Sequence, residues 1–306
     1  MWTLSVCIPI YNSDVRALVN NLCTQIDQLG TTQIDIVLID DASEQRFVEL
    51  NQSQNPRVHY IGLTENIGRS KIRNTFLQHT QADYLLFIDG DSTILDPQFL
   101  EKYFVYITAR PIEVLVGASV YQNSKPPRAQ HLRWKYSTQR ESLNYGQRSQ
   151  AQHAGFKTNN FVIHRNVFAR FLFDERITSY GHEDTLLGLQ LSTNGVVVAH
   201  IDNPVWNLKL DTNAEFLIKT DSALKNLLRL QKMYPDLSIQ DRIRLLGLYS
   251  ALKKNSLSKH TLDFLLLTIP FITSLLKSGY ATLFWFDLYR LLRLHQLDKD
   301  TTHKLN

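Results

Sequence analysis

Tyr84-Leu85-Leu86-Phe87-Ile88-Asp89-Gly90-Asp91 is the stretch whose reading decides the fold. Five consecutive apolar residues bounded by turn formers suit a strand buried on both faces of a parallel sheet, so the carboxylates that follow are carried out at its C-terminal end. Open α/β sheets bind ligands at that end. Two acids one residue apart, with a glycine between them to let the chain turn, can share a hard divalent cation, Mg2+ or Mn2+, and leave coordination positions for phosphate oxygens. The same residues also suit an Asx turn ahead of a helix opening at Asp96-Pro97, and the motif alone does not separate the two readings.

Outward from this strand, the neighbouring patterns alternate. Leu4 to Ile10 reads as a strand, and Val15, Leu18, Val19, Leu22, Ile26 and Leu29 then recur at helical spacing, with Gly30 placed to end the helix. Ile34 to Ile39 and Val58 to Leu63 read as further strands, Gly68 opens a helix bearing Ile72 and Phe76, and Val114 to Tyr121 reads as one more strand. Such alternation predicts an α/β fold, a twisted and mostly parallel sheet with helices on both faces. From Ala214 the pattern turns helical, with Phe216, Leu217, Leu224, Leu227, Leu228 and Leu230 on one amphipathic stretch. The division this suggests is an α/β domain over residues 1–212 and a C-terminal helical extension over 213–306.

The 306 residues are enough for a nucleotide-binding domain plus an accessory helical segment, and 43% hydrophobic with 20% charged residues is ordinary for a globular enzyme. The net charge of +4 is mild but uneven: residues 239–306 hold ten Lys/Arg against five Asp. Cys7 in an apolar strand and Cys23 on a helix make neither a disulfide framework nor a thiolate metal site, which points to a reducing cytoplasm. The first residues, apolar but without a basic leader or a small-residue cleavage site, read as a strand rather than a signal peptide.

Two segments break the rhythm. Gln122 to Gln152 carries Pro126-Pro127 and six basic residues against the single acid Glu141, so it is either a solvated basic segment or one that folds over an anionic ligand. Phe264 to Phe286 is apolar but interrupted by Pro270 and by Lys277-Ser278-Gly279, and neither half reaches across about 30 Å of hydrocarbon. Two packed or interfacial helices are expected there, and basic residues beside Trp285 would suit peripheral contact with an anionic membrane.

Four further elements bear on Asp89-Gly90-Asp91. The first strand ends in Pro9-Ile10-Tyr11-Asn12, offering a flat aromatic face to a base or ribose. The second ends in Asp40-Asp41, within reach of a uracil N–H or a ribose hydroxyl. Gly68-Arg69-Ser70-Lys71-Ile72-Arg73 is a helix N-terminus with basic residues, suited to a diphosphate. Phe173-Asp174-Glu175 and then Tyr180-Gly181-His182-Glu183-Asp184 lead into a helix whose Leu186, Leu187 and Leu191 face inward.

In this order and spacing the motifs resemble the family 2 glycosyltransferases, inverting enzymes of the GT-A fold, over about residues 3 to 230. The resemblance implies that Pro9, Tyr11, Asn12, Asp40 and Asp41 hold the nucleoside and that the turn from Gly68 to Arg73 lies by the donor. It further implies that Asp89 and Asp91 form a metal-binding DxD motif around Gly90, and that Asp184, supported by Glu183 or His182, is the catalytic base. Asn160, of the pair Asn159-Asn160, is placed by the sugar or acceptor. The chemistry is consistent: the leaving diphosphate needs its charge neutralised, the acceptor hydroxyl needs one base, and with no nucleophilic carboxylate the anomeric centre inverts.

The chain departs from the family pattern in two places. The histidine that completes the metal shell falls at Asn207, with His200 left inside a strand and Asp202 or water as substitutes, and Lys71 stands where a small residue is usual. The expected activity is transfer from a nucleotide-diphospho sugar, a UDP-sugar first, to a glycan or lipid-linked acceptor in surface polysaccharide synthesis. It is expected in the cytoplasm or at the inner face of the cell membrane. A nucleotide-sugar-binding scaffold and a nucleotidyltransferase are the alternatives; the latter needs a glycine-rich basic loop where Tyr11-Asn12-Ser13-Asp14 stands. No nucleic-acid-binding motif is present in the sequence.

Overall fold

The structure, a computed structural model, describes residues 2–52, 55–151, 156–237 and 239–303. In chain order the first half runs β1 (Leu4–Ile10), α1 (Arg16–Leu29), β2 (Ile34–Asp40), α2 (Gln45–Asn51), β3 (Val58–Gly62), α3 (Arg69–His79), β4 (Tyr84–Ile88), β5 (Ser92–Thr93), α4 (Phe99–Ala109), β6 (Val114–Val116) and β7 (Ser119–Tyr121). There follow α5 (His131–Tyr136), α6 (Tyr145–Ala151), β8 (Asn160–His164), α7 (Arg165–Arg170), α8 (Glu183–Thr193), β9 (Val198–His200) and β10 (Val205–Asn207). The chain then continues as α9 (Asn213–Met233), α10 (Ile239–Arg242), α11 (Arg244–Lys254), α12 (Ser256–Leu265), α13 (Ile269–Lys277) and α14 (Leu283–His303).

The chain forms two compact units that are not contiguous in sequence. The first comprises Met1–Gln122, Glu141–Thr178 and Glu183–Lys209, and the second Asn123–Arg140, Ser179–His182 and Leu210–Asn306. The division differs from a single cut at residue 212, because Asn123–Arg140 and Ser179–His182 group with the C-terminal helices.

In the first unit seven strands form one sheet in the order β3-β2-β1-β4-β8-β6-β9. β1, β2, β3 and β4 pair in parallel, while β8 runs antiparallel to both β4 and β6. Side chains leave successive strand residues on opposite faces, and both faces are covered here. Tyr84, Leu86 and Ile88 of β4 enter one core with Leu18, Leu22 and Ile26 of α1 and Phe99 and Tyr103 of α4. Leu85 and Phe87 enter the other with Ile72 and Phe76 of α3, Phe168 of α7 and Leu187 and Leu191 of α8. Both faces of β4 are therefore dry, which is why its sequence shows no polar alternation. Gly30 ends α1 with φ 61°, as its position predicts.

Val114 to Tyr121 does not form the single strand its alternation suggests. β6 belongs to the large sheet, whereas β7 lies in a second, three-stranded sheet ordered β5-β10-β7. The break falls at Gly117-Ala118. A Cβ on Gly117 would lie 2.0 Å from Tyr103 Oη and 2.5 Å from Asn160 Nδ2, and Ala118 takes a left-handed φ of 82°.

The second unit is helical. Thr212 and Glu215 close a capping box on α9, and Phe216 of that helix lies between the rings of Tyr136 and Phe286, at 5.5 and 5.2 Å. Asn213 accepts from Leu132 N at 2.8 Å and donates to the carbonyls of Arg128 and Lys277, so one side chain ties the 123–140 segment to the end of α13. Of the basic residues in 122–152, Arg133 is buried over the Phe216 ring and Arg148, in the first unit, is buried against the carbonyls of Val116, Leu143 and Ile201. Neither is a solvated charge or part of a loop free to fold over an anion. Gly155 lies outside the described residues.

Candidate active site

The end of β4 delivers Asp89, Gly90 and Asp91 into a turn closed by Ser92 N donating to Asp89 O at 3.0 Å. Gly90 is required by close approach: a Cβ there would sit 3.1 Å from Val15 Cγ1 and 3.2 Å from the Pro9 carbonyl oxygen. The motif is thereby pressed against the end of β1. Asp89 accepts a hydrogen bond from Arg73 Nη2 at 2.6 Å, and Arg73 is buried, donates to Arg69 O and lies over the Phe173 ring. Asp91 keeps exposed surface, yet its carboxyl is raised above the usual range, by desolvation first and then by the Asp89 charge, with Arg69 and Lys209 opposing.

α8 brings the second acidic pair. Glu183 is buried, and its carboxyl is also raised, by burial first and by Asp184 second, while Arg73 and Arg69 pull it back. Arg69 Nη1 approaches Glu183 Oε1 to 3.9 Å. Asp184 accepts from Thr185 N and Thr185 Oγ1 on one oxygen and from Lys157 Nζ at 3.1 Å on the other. His182 turns the chain into α8 with a left-handed φ of 71°.

Arg69 and Arg73 are four residues apart on α3 and so share a face, and that face joins the Asp89-Asp91 turn to the Glu183-Asp184 helix start. Lys71, two positions from each, is exposed on another side of the helix. Asn74 anchors the arrangement, exchanging hydrogen bonds with the backbone of Phe173 and donating to Glu175 at 3.0 Å.

The nucleoside-side candidates cluster at the ends of β1 and β2. Tyr11 is 57% exposed just beyond Pro9, leaving its ring face open. Asn12, with φ 49°, donates its backbone N–H to Ser43 Oγ and accepts from Glu44 N on its side-chain oxygen. Asp40 is buried and accepts from Ser43 N and Tyr60 Oη, an interaction that with burial drives the Tyr60 phenol well up. Asp41, also buried, accepts from Ile67 N at 2.7 Å and Gly68 N at 3.0 Å. These acids therefore shape the site through its backbone: Asp41 holds the turn in which Gly68, at φ 82°, begins α3.

Asn160, expected beside the sugar or acceptor, is bonded inside the protein. It is fully buried, accepts from Tyr103 Oη at 2.7 Å and donates to the carbonyls of Ala118 and Asn203 at 2.8 Å each, so its amide is consumed inside the sheet junction. Its neighbour Asn159 is the one beside the acids, taking Asp89 N on its carbonyl at 3.4 Å and leaving a buried Oδ1 without a hydrogen bond. Asn207 pairs with Ser92 across β10 and β5, one residue from Asp91, and donates to Ser119 Oγ. His200 is buried against Arg148, and Asp202 lines a cavity of about 380 Å³, with Ser142, Tyr145 and Arg148, that includes none of the four acids.

No group of three His, Cys, Asp or Glu side chains converges as a complete metal cage among the described residues. The donor set still fits Mg2+ or Mn2+, ions commonly held by one or two carboxylates plus substrate phosphate oxygens. Asp89 and Asp91 repel each other in the structure, a cation would relieve that repulsion, and the Asn207 position borders Asp91. Beyond the sequence-derived candidates the structure adds Lys157 and Lys209, and it gives Arg69, already among the basic residues opening α3, its place beside Glu183. Arg69 was signalled by its four-residue spacing from Arg73, whereas Lys157 and Lys209 carry no local signature.

Comparison with known proteins follows this geometry. The family model described as Glycosyl transferase family 2 matches residues 5–177. An uncharacterized glycosyltransferase of Haemophilus influenzae is 31% identical over 108 residues, 35% of each chain. An N-acetylglucosaminyltransferase of Sinorhizobium fredii is 28% identical over 40% of this chain and 30% of its own. The chain thus spans about a third of the length of these curated relatives. Among solved structures, Staphylococcus aureus TarS 1-349 in complex with UDP superposes with a TM-score of 0.52 at 13% identity, over 98% of this chain and 92% of that one. The mannosyltransferase PcManGT of Pyrobaculum calidifontis, in complex with GDP-Man and Mn2+, reaches 0.56 at 16% identity, over 98% and 86%.

Proposed function

The chain belongs to glycosyltransferase family 2 and has the GT-A fold, and on that premise we propose that its acidic cluster transfers a sugar from a nucleotide-diphospho sugar to an acceptor hydroxyl with inversion. The observation that carries this reading is Arg73, which binds Asp89 at 2.6 Å and acts electrostatically on Glu183, so that the acids after β4 and those opening α8 form one cluster.

In this reading Asp184 is the base. One of its oxygens is fixed by Thr185, and the other, held by Lys157, is the one that meets the acceptor hydroxyl and takes its proton as the oxygen attacks the anomeric carbon. Glu183 stays behind it, positioned by Arg69. A divalent cation on Asp89 and Asp91, when bound, supplies Lewis-acid neutralisation of the leaving diphosphate. Arg69 and Lys209, whose charges already act on Asp91, add positive potential at the same place. Tyr11 offers its exposed ring to the base, and the Asp41-held turn at Gly68 presents the start of α3 to the phosphates. The UDP complex of TarS and the relatives named N-acetylglucosaminyltransferases make UDP-N-acetylglucosamine the first donor to test, with GDP-mannose beside it. A glycan or lipid-linked glycan of a surface polysaccharide is the proposed acceptor class.

The deciding experiment measures nucleotide binding and sugar transfer in Asp184→Asn and Asp91→Ala. The first should keep nucleotide affinity and lose transfer by about a hundredfold or more. The second should lose Mn2+-dependent nucleotide binding. Full turnover in both variants overturns the assignment, and tight UDP binding by the unmodified protein without transfer to any acceptor points instead to a nucleotide-sugar-binding scaffold.

A further inference from the structure

The helical run from Ser256 to Lys277, composed of α12, a single 3-10 turn over Leu266–Thr268 and α13, is apolar on both of its faces. Leu262, Ile272 and Leu276 are buried on the inner face, where the run packs on α14. Leu257, Phe264, Leu267 and Phe271, spaced by seven, three and four residues, line the outer face, and with Phe284 of α14 they are 65–77% exposed. Trp285 packs beside two of the three exposed phenylalanines, its ring 6.5 Å from Phe271 and 5.7 Å from Phe284. Single exposed apolar residues are common on proteins, but a contiguous ridge of this kind marks an interaction surface.

The surrounding charge identifies what covers it. Asp263 is bound by Lys299 and His295, Asp287 by Arg140 and Arg290, and Asp298 by Lys253. Lys254, Lys259 and Lys277 are exposed and form no ion pair among the described residues. Asp263, Asp287 and Asp298 are thus neutralised within the unit while three ammonium groups remain for an outside anion. An apolar ridge edged by aromatic rings and uncompensated lysines is the chemistry that partitions into the headgroup boundary of an anionic bilayer.

Although the 22-residue run is long and apolar enough to cross a membrane, its packing argues against spanning. Spanning would pull Leu262, Ile272 and Leu276 out of their packing and carry the Asp263 ion pairs into hydrocarbon. We propose that the outer face of α12 and α13, with Phe284 and Trp285, is a docking surface by which the protein lies on an anionic lipid bilayer without crossing it. This is independent of the chemistry assigned to the acidic cluster.

The test is flotation of the full chain with phosphatidylcholine vesicles with and without phosphatidylglycerol, at low and high salt, alongside its oligomeric state in solution. The chain should partition onto anionic vesicles at least about tenfold more strongly than onto neutral ones, and high salt should erase most of that difference. Phe264→Glu/Leu267→Glu/Phe271→Glu, all at exposed positions and checked for an unchanged melting curve, should abolish binding. Lys254→Glu/Lys259→Glu/Lys277→Glu should remove only the anionic preference. The proposal is overturned if the unmodified chain binds no vesicle, or if the apolar triple variant binds as well as it does. It is equally overturned if that variant abolishes self-association of a chain that never binds lipid, which would make a second copy the occupant.

Discussion

Arg73 is the residue on which the site turns, because it is buried, positive, paired with Asp89 and electrostatically felt by Glu183, acids of two different elements. Removing one partner of such a pair leaves the other uncompensated, so Arg73→Met should cost about 3 kcal/mol of stability and abolish transfer, measured by denaturant unfolding and by activity. Glu183 is strained in the opposite sense. Its carboxyl is raised in the folded protein, so the unfolded chain ionises first as pH climbs through the usual carboxylate range, and stability falls until the folded carboxyl has ionised too. Glu183→Gln should therefore melt higher than the unmodified chain at neutral pH, by roughly 2 °C or more, with the difference disappearing below the unfolded carboxylate range. A gain of stability with loss of turnover would mark Glu183 as retained for function; an unchanged pH profile would show that it carries no such penalty. Arg69 and Arg73 could be paired from sequence by helical spacing, but Lys157 could not, since nothing local connects residue 157 to 184.

At the level of single elements, β1, β2 and β4 were legible because each is a buried strand with its own apolar run and turn residues, and β3 was legible at the sheet edge by its β-formers, though only Val58 of it is buried. The junction after β6 was not. Val114 to Tyr121 alternates as one strand should, yet it breaks at Gly117-Ala118, where Tyr103 and Asn160 leave no room for a side chain and Ala118 is left-handed. The bonding of Asn160 was equally hidden from the sequence, since its partners lie 42 to 57 residues away. Asn160→Ala should take the acceptor from the Tyr103 hydroxyl and the side-chain donor from the Asn203 carbonyl, while Ala118 O keeps Val205 N; this should cost about 3 kcal/mol, while the folded fraction keeps its nucleotide affinity. A stable variant with weakened UDP binding would return Asn160 to the donor site. Gly117→Ala should be worse, since no relaxation of one side chain clears both Tyr103 and Asn160.

Taken as a whole, the molecule is divided by packing rather than by position along the chain. The 123–140 segment belongs with α9 and the C-terminal helices through Asn213, Phe216 and Phe286. A chain ending at residue 212 would leave Leu132, Arg133 and Tyr136 without those partners, and it should aggregate on gel filtration where the full chain does not. A monodisperse, well-folded 1–212 fragment would show that the segment does not need the helices.

Local order of residues was enough to establish the parallel α/β sheet, the acids at its carboxyl edge and the family, because buried strands, helix starts and the Asp89-Gly90-Asp91 turn are written in contiguous stretches. Which acids pair with basic side chains and which hold backbone, the change of sheet at Gly117, the unit to which 123–140 belongs and the apolar ridge left outside α12 and α13 came from folding. Each of these depends on which groups distant in the chain meet, and satisfaction of buried polar atoms and close packing are properties of that meeting, not of any short segment.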